Sequence, residues 1–95
     1  MAAYIVADID ITDPAAYEGY KPLASAAIDK YGAKILARGG KVDAAEGGWN
    51  PSRLVILEFP SMAQLRRFYD SPEYMKARAI RQKASKSKLI FVEGV

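Results

Sequence analysis

Within 95 residues the side-chain pattern alternates between a period of two and a helical period, in the order strand, helix, strand, strand, helix, strand. Residues 3–11 alternate, with Ile5, Ala7 and Ile9 on one face and Tyr4, Val6 and Asp8 on the other. Asp13-Pro14 is an N-cap followed by proline at the first helical position. Tyr17, Tyr20, Ala24, Ala27, Ile28 and Tyr31 follow at helical spacing, and Gly32 closes the helix. Residues 33–38 form a short second strand that Gly39-Gly40 interrupts, with a loop or half-strand from Val42 to Glu46 beyond. After a turn around Trp49, residues 53–59 (RLVILEF) are the clearest strand in the chain. Pro60 ends that strand, and Ser61 with Gln64 matches a capping box opening the second helix. Ser71-Pro72-Glu73 restarts helical structure to about Ala84, and the last strand runs from Leu89 to Glu93.

This order predicts one α+β domain over residues 1–95, the ferredoxin-like β-α-β-β-α-β unit. Right-handed crossovers place its four antiparallel strands in the order 4-1-3-2, with the helices on one face. Parity then divides the strand residues. Ile5, Ala7, Ile9, Ile35, Ala37, Val55, Leu57 and Phe59 share one apolar face, expected beneath the helices. The opposite face carries Tyr4, Val6, Leu36, Leu54 and Ile56 with Asp8, Arg38 and Glu58, and Leu89, Phe91 and Glu93 are assigned to it as well. A monomer would leave that second face as a large apolar patch in water, whereas soluble monomers seldom expose more than roughly 300–600 Å² in one patch. A homodimer with sheets packed face to face is therefore expected.

Composition removes several chemistries. Hydrophobic residues at 51% and charged residues at 26% are ordinary globular values, so disorder is not expected. Cysteine is absent, which excludes disulfides, thiolate nucleophiles and cysteine metal sites. Histidine is absent too, and with it the commonest general base, metal ligand and proximal haem ligand. No metal and no cofactor are expected. The start of the chain, MAAYIVADIDI, resembles neither a signal peptide nor a membrane span, so a cytoplasmic protein without a membrane partner is expected. The net charge is +3, much of it in the run Lys76, Arg78, Arg81, Lys83, Lys86 and Lys88. With few aromatics for stacking, that run reads as a solvated helix face, and nucleic acid is not an expected partner.

Tyr17 and Tyr20, Arg38-Gly39-Gly40, and Glu46-Gly47 with Trp49, Pro51 and Arg53 resemble the pattern of the domain of unknown function 1330 family. Glu58-Phe59-Pro60-Ser61, Tyr69, Ser71-Pro72-Glu73-Tyr74, Arg78, Arg81 and Val92-Glu93-Gly94 continue the resemblance over nearly the whole chain. It implies a ferredoxin-like fold assembled as a dimeric α+β barrel, and it implies no activity. More distant members of the same barrel superfamily include cofactor-independent monooxygenases, muconolactone isomerases and haem-binding proteins. The missing histidine disfavours the haem branch.

The topology should gather Asp8, Tyr17, Tyr20, Arg38, Glu46, Trp49, Arg53, Tyr69, Ser71, Tyr74 and Arg78 at one end of the sheet. Arg38, Arg53 and Arg78 would hold an anion, with Trp49 and Tyr69 as the aromatic wall and Glu46 or Tyr74 moving a proton. Structural roles compete with each of these. The arginines could pair with Asp8, Glu46 and Glu73; Trp49 could fill a dimer seam; Tyr17 and Tyr20 could be core; Glu46 could cap backbone amides. Glu58 on an apolar face could fix register or meet a group of the twin subunit. Gly39-Gly40 lacks the spacing of a phosphate loop and reads as a bulge or turn. The functional expectation is a small-molecule site for an anionic or aromatic metabolite, with cofactor-independent proton transfer. The alternative is a non-catalytic dimerisation or interaction module.

Overall fold

The computed structural model describes Met1–Val95. The elements are β1 (Ala3–Ile11), α1 (Pro14–Lys30), β2 (Lys34–Arg38), β3 (Leu54–Phe59), α2 (Met62–Tyr69), α3 (Pro72–Ala84) and β4 (Ser85–Glu93). The helix starts follow the capping residues. The Asp13 side chain accepts from Ala16 N at 3.2 Å, Ser61 Oγ from Gln64 N at 3.2 Å, and Ser71 Oγ from Tyr74 N at 3.1 Å. Ser71 Oγ also donates to the carbonyl of Phe68 at 2.7 Å, so one buried hydroxyl joins the end of α2 to the start of α3.

The strands form one antiparallel sheet in the order β2-β3-β1-β4, the expected 4-1-3-2 arrangement read from the other edge. Ala3, Ile5, Ala7 and Ile9 are buried on the face covered by the helices, as alternation along β1 requires. Phe68 of α2 is fully buried, its ring 5.2 Å from Phe59 of β3 and 4.5 Å from Tyr74 of α3, so aromatic packing locks sheet and helices together.

The barrel expected from the resemblance is not present: the sheet is open. Four strands in this order leave β2 and β4 as opposite edges, and neither edge pairs with the other. Closure into a filled β-barrel typically takes about eight strands, so a single four-stranded sheet stays a twisted, open layer.

Five parity assignments also change. In β4, Phe91 pairs with Ile5 and Leu89 with Ala7. Directly paired residues share a face, so Leu89 and Phe91 lie under the helices, while Ile90 and Val92 take the open face. Glu93, opposite Ala3, follows the helix-side parity. In β2 the register shifts between Ile35, which pairs with Leu57, and Ala37, which pairs with Ile56. The extra residue at this bulge reverses everything after it. Ala37 moves to the open face and Arg38, now opposite Val55, turns to the helix side. β4 is also longer than expected and begins at Ser85, so Lys86 and Lys88 belong to an edge strand, opposite Asp10 and Asp8.

Candidate functional site

A cavity of about 340 Å³ lies between α1, α3 and the helix-side face of the sheet. Its floor is apolar: Ile5, Ala7 and Ile9 of β1, Val55 and Leu57 of β3, and Leu89 of β4. Its upper wall is phenolic, with Tyr17 and Tyr20 from α1 and Tyr74 from α3. Around these stand four cationic side chains, Lys21, Arg38, Arg53 and Arg81, and no carboxylate lines the space. This size, an apolar lining with a few convergent polar groups, is typical of a small-molecule site.

Each arginine arrives by a different local device. The bulge in β2 brings Arg38 round to the cavity side. Arg53 precedes β3; its Nη1 lies where a β-carbon on Gly39 would come within 2.5 Å, and its guanidinium stands 6.0 Å from the Tyr17 ring. Gly39 has φ +67° and donates its N–H to the carbonyl of Leu54 at 2.9 Å, ending β2 tightly enough for that approach. Arg81 lies on the buried stripe of α3 with Tyr74, Ala77 and Ala84 and is only 2% exposed. It donates from Nη1 to Ser87 Oγ of β4, and Ser85 Oγ donates to its backbone carbonyl at 2.6 Å.

The electrostatics are one-sided. The ion pairs of the chain are Lys21–Glu18 at 3.0 Å and Lys30–Glu73 at 2.6 Å, so Arg38, Arg53 and Arg81 have no carboxylate partner. The Nε atoms of Arg53 and Arg81 are buried without a hydrogen-bond partner. Burial works against the charge of Arg81, but the phenol oxygens of Tyr74 and Tyr20 outweigh it and raise its pKa above the ordinary arginine value. Tyr20 Oη and Tyr74 Oη share a hydrogen bond of 2.9 Å. Burial, reinforced by Tyr74 beside it, pushes the Tyr20 hydroxyl far above the usual phenol range. The Tyr17 hydroxyl is raised by burial as well, with Arg53 pulling the other way. Tyr17 and Tyr20 are therefore held as neutral hydrogen-bond donors rather than as bases.

Of the residues expected to gather at this end, Tyr17, Tyr20, Arg38, Arg53 and Tyr74 line the cavity together. The others stand elsewhere. Glu46 and Trp49 lie in the long connection between β2 and β3; Trp49 is 62% exposed and donates its indole N–H to Asp8 Oδ2 at 3.2 Å. Tyr69 packs against Phe91 at 5.1 Å, and the Arg78 guanidinium covers the Tyr69 ring at 4.5 Å, outside the cavity. The alternative pairings of the arginines do not form, because Glu73 takes Lys30 and Tyr31, and Asp8 takes Trp49. Glu58 accepts from Tyr4 of its own chain at 3.2 Å. Sequence reasoning missed Arg81, which its basic neighbours made look solvated. The signal was its place in the spacing Tyr74, Ala77, Arg81, Ala84, an apolar stripe interrupted by one cation.

Residues 2–95 match the model of a domain of unknown function, DUF1330. No curated protein matches the chain. A crystal structure of a protein of unknown function from Rhodopseudomonas palustris is similar, at 19% identity and TM-score 0.74 over 99% of this chain and 82% of that one. SnoaB, a cofactor-independent oxygenase from Streptomyces nogalater, is similar at 14% identity and TM-score 0.67, over 99% of this chain and 93% of that one. A dimeric ferredoxin-like protein of unknown function from Jannaschia sp. CCS1 aligns at 13% identity and TM-score 0.73, over 99% of this chain and all (100%) of that one. At these identities the likeness establishes the fold.

Proposed function

The chain belongs to the DUF1330 family, and on that premise we propose that its cavity binds a small anionic metabolite with an apolar or aromatic body. The observation that carries this reading is the set of arginines, Arg38, Arg53 and Arg81, converging on an apolar space that contains no acid. Buried cations without a carboxylate are costly, and a bound anion would offset that cost. The body of the ligand would lie on Ile5, Leu57 and Val55, where the floor offers only hydrocarbon.

The chemistry such a site supports without a cofactor is the stabilisation of an oxyanion by preorganised donors. Tyr74 would donate a proton or a hydrogen bond to a ligand oxygen, and its hydrogen bond to Tyr20 at 2.9 Å supports that role. The similarity of fold to a cofactor-independent oxygenase is compatible with that chemistry, but only as an analogy between folds.

Thermal shift against aromatic carboxylates, enols and quinones tests the reading. A ligand at about 100 times its dissociation constant should stabilise the native state by about 2.7 kcal/mol. Arg53→Ala should lose that shift while still melting cooperatively, and Ala24→Trp, which fills the cavity from α1, should lose it with all three arginines in place. A ligand whose shift survives both changes binds elsewhere.

We also propose that the open sheet face joins two copies of this chain. Ile90 is 62% exposed on that face and Val92 45%, beside Tyr4, Val6, Leu54 and Ile56. The similar protein from Jannaschia sp. CCS1 is dimeric. The same face supports the competing reading of an interaction module, which predicts that no small molecule shifts the melting of the protein.

A further inference from the structure

The three arginines of the cavity lie at different depths. Arg81 is 2% exposed, whereas Arg53 is half-buried and Arg38 is exposed. Water and salt therefore screen Arg38 well, Arg53 less and Arg81 least. A guanidinium carries five N–H donors. In Arg81, Ser87 Oγ takes one of them at Nη1, and Nε is buried with no acceptor. Nη2 meets no protein acceptor either, so the edge formed by Nε and Nη2 is left unpaired. Two N–H groups side by side on one planar edge match the two oxygens of a carboxylate.

A further donor comes from the same helix. Tyr74 lies with Arg81 on the buried stripe of α3, and its hydroxyl shares a hydrogen bond of 2.9 Å with that of Tyr20. The pair has two hydroxyl protons and its own bond uses one, so one O–H is left without a protein acceptor.

Proton and charge counts narrow the ligand class. No carboxylate lines the cavity and the chain has no histidine, so no ordinary base takes a proton from a neutral ligand, and the ligand must arrive ionised. A carboxylic acid is ionised at neutral pH, whereas an ordinary phenol, with a pKa of about 10, is not. A monoanion matches the single fully buried cation, and a dianion would carry a second charge into the apolar space.

We propose that Arg81 is the anchor of the cavity, taking on its Nε–Nη2 edge the carboxylate of a monocarboxylic acid with an apolar body, with the free hydroxyl of the Tyr20–Tyr74 pair as a further donor. The ligand enters charge first, drawn by the more exposed Arg38 and Arg53, and leaves its body on Val55 and Leu57. The proposal rests on the reading of the cavity as a ligand site and adds the charged group of the ligand, its depth and the residue that receives it.

Isothermal titration calorimetry at neutral pH with 2-naphthoate tests it, beside 2-naphthamide, 2-naphthol and 2-naphthyl phosphate, which carry the same ring. Naphthoate should bind the wild-type protein most tightly. Arg81→Gln should weaken it by about 30-fold or more, as when one member of a buried charge pair is truncated. Arg81→Lys, which keeps the charge without the fork, should fall between the two. Arg38→Gln should cost less than about fivefold, as for an exposed pair. The wild-type Arg81 Nε–H resonance needs no variant to fold, and it should move when naphthoate binds. Equal weakening by Arg38→Gln and Arg81→Gln, or an Nε–H that does not respond to bound naphthoate, overturns the anchor and leaves the cavity as a ligand site. Naphthamide, naphthol or naphthyl phosphate binding as tightly as naphthoate overturns the carboxylate class. No binding by any of the four, with a flat thermal-shift screen, overturns both the anchor and the cavity reading.

Discussion

At Gly39 the missing side chain decides where Arg53 lies. An added β-carbon would meet Arg53 Nη1 at 2.5 Å, and the backbone there has φ +67°. Gly39→Ala should therefore cost about 1–2 kcal/mol from the left-handed backbone alone and push the guanidinium out of place. Chemical denaturation measures the first effect. The second is a loss of affinity for any ligand whose binding depends on Arg53, with Arg81-dependent effects retained. Sequence marked Gly39-Gly40 as a bulge or turn, and Gly39 does terminate β2, but nothing local told that a guanidinium leans on it. The bulge stands earlier, between Ile35 and Ala37, where no glycine or proline announces it. That bulge hid the true face of Arg38. Arg81 was hidden differently: charge counting set it among solvated lysines, whereas helical spacing put it on the buried stripe of α3.

Between elements, one carboxylate ties the far end of α1 to the start of α3, beside the Tyr20–Tyr74 hydrogen bond. Glu73, in the first turn of α3, accepts from Lys30 Nζ at 2.6 Å and from Tyr31 Oη at 3.0 Å, at the far end of α1. Lys30 foremost, with a backbone N–H and Tyr31, holds its pKa down to about 2 from the usual 4.5. A carboxylate with a depressed folded-state pKa contributes stability above its unfolded value and loses it as pH falls towards the folded one. The melting temperature of wild type should therefore exceed that of Glu73→Gln at neutral pH. The gap should close as pH drops from about 4.5 to about 2. Both partners are partly exposed, so the gap should also narrow in high salt. Thermal melts across that pH range decide it, and a gap independent of pH would mean that the helix tie is packing alone. The helix boundaries were legible because Asp13, Ser61 and Ser71 each precede a proline or a polar capping pattern. The start of β4 was not, because Ser85, Lys86, Ser87 and Lys88 form the polar end of an edge strand and carry no apolar alternation.

For the whole molecule, side-chain parity could show that the sheet has two apolar faces, but not how the second is covered. The barrel expectation failed on topology: β2 and β4 sit at opposite edges of an open sheet. Coverage of the open face is a separate matter from closure. Tyr4, Val6, Leu54, Ile56, Ile90 and Val92 form its apolar centre. Asp8 opposite Lys88, Asp10 opposite Lys86 and Glu58 opposite Lys34 place both signs of charge around them. An apolar centre within a polar rim of mixed sign is the anatomy expected of the proposed interface between two copies. Ile90→Lys should then shift the protein from twice the chain mass of 10.4 kDa to 10.4 kDa in sedimentation equilibrium at micromolar concentration. Because Ile90 is 62% exposed in the isolated chain, the fold itself should tolerate the lysine, and circular dichroism should be unchanged. A variant that stays dimeric would place the interface on another surface. The cavity lies on the other side of the sheet, so ligand binding should persist in the monomeric variant. If binding disappears together with the dimer while the fold persists, the pocket depends on the partner copy, and the apparent independence of the two faces is wrong.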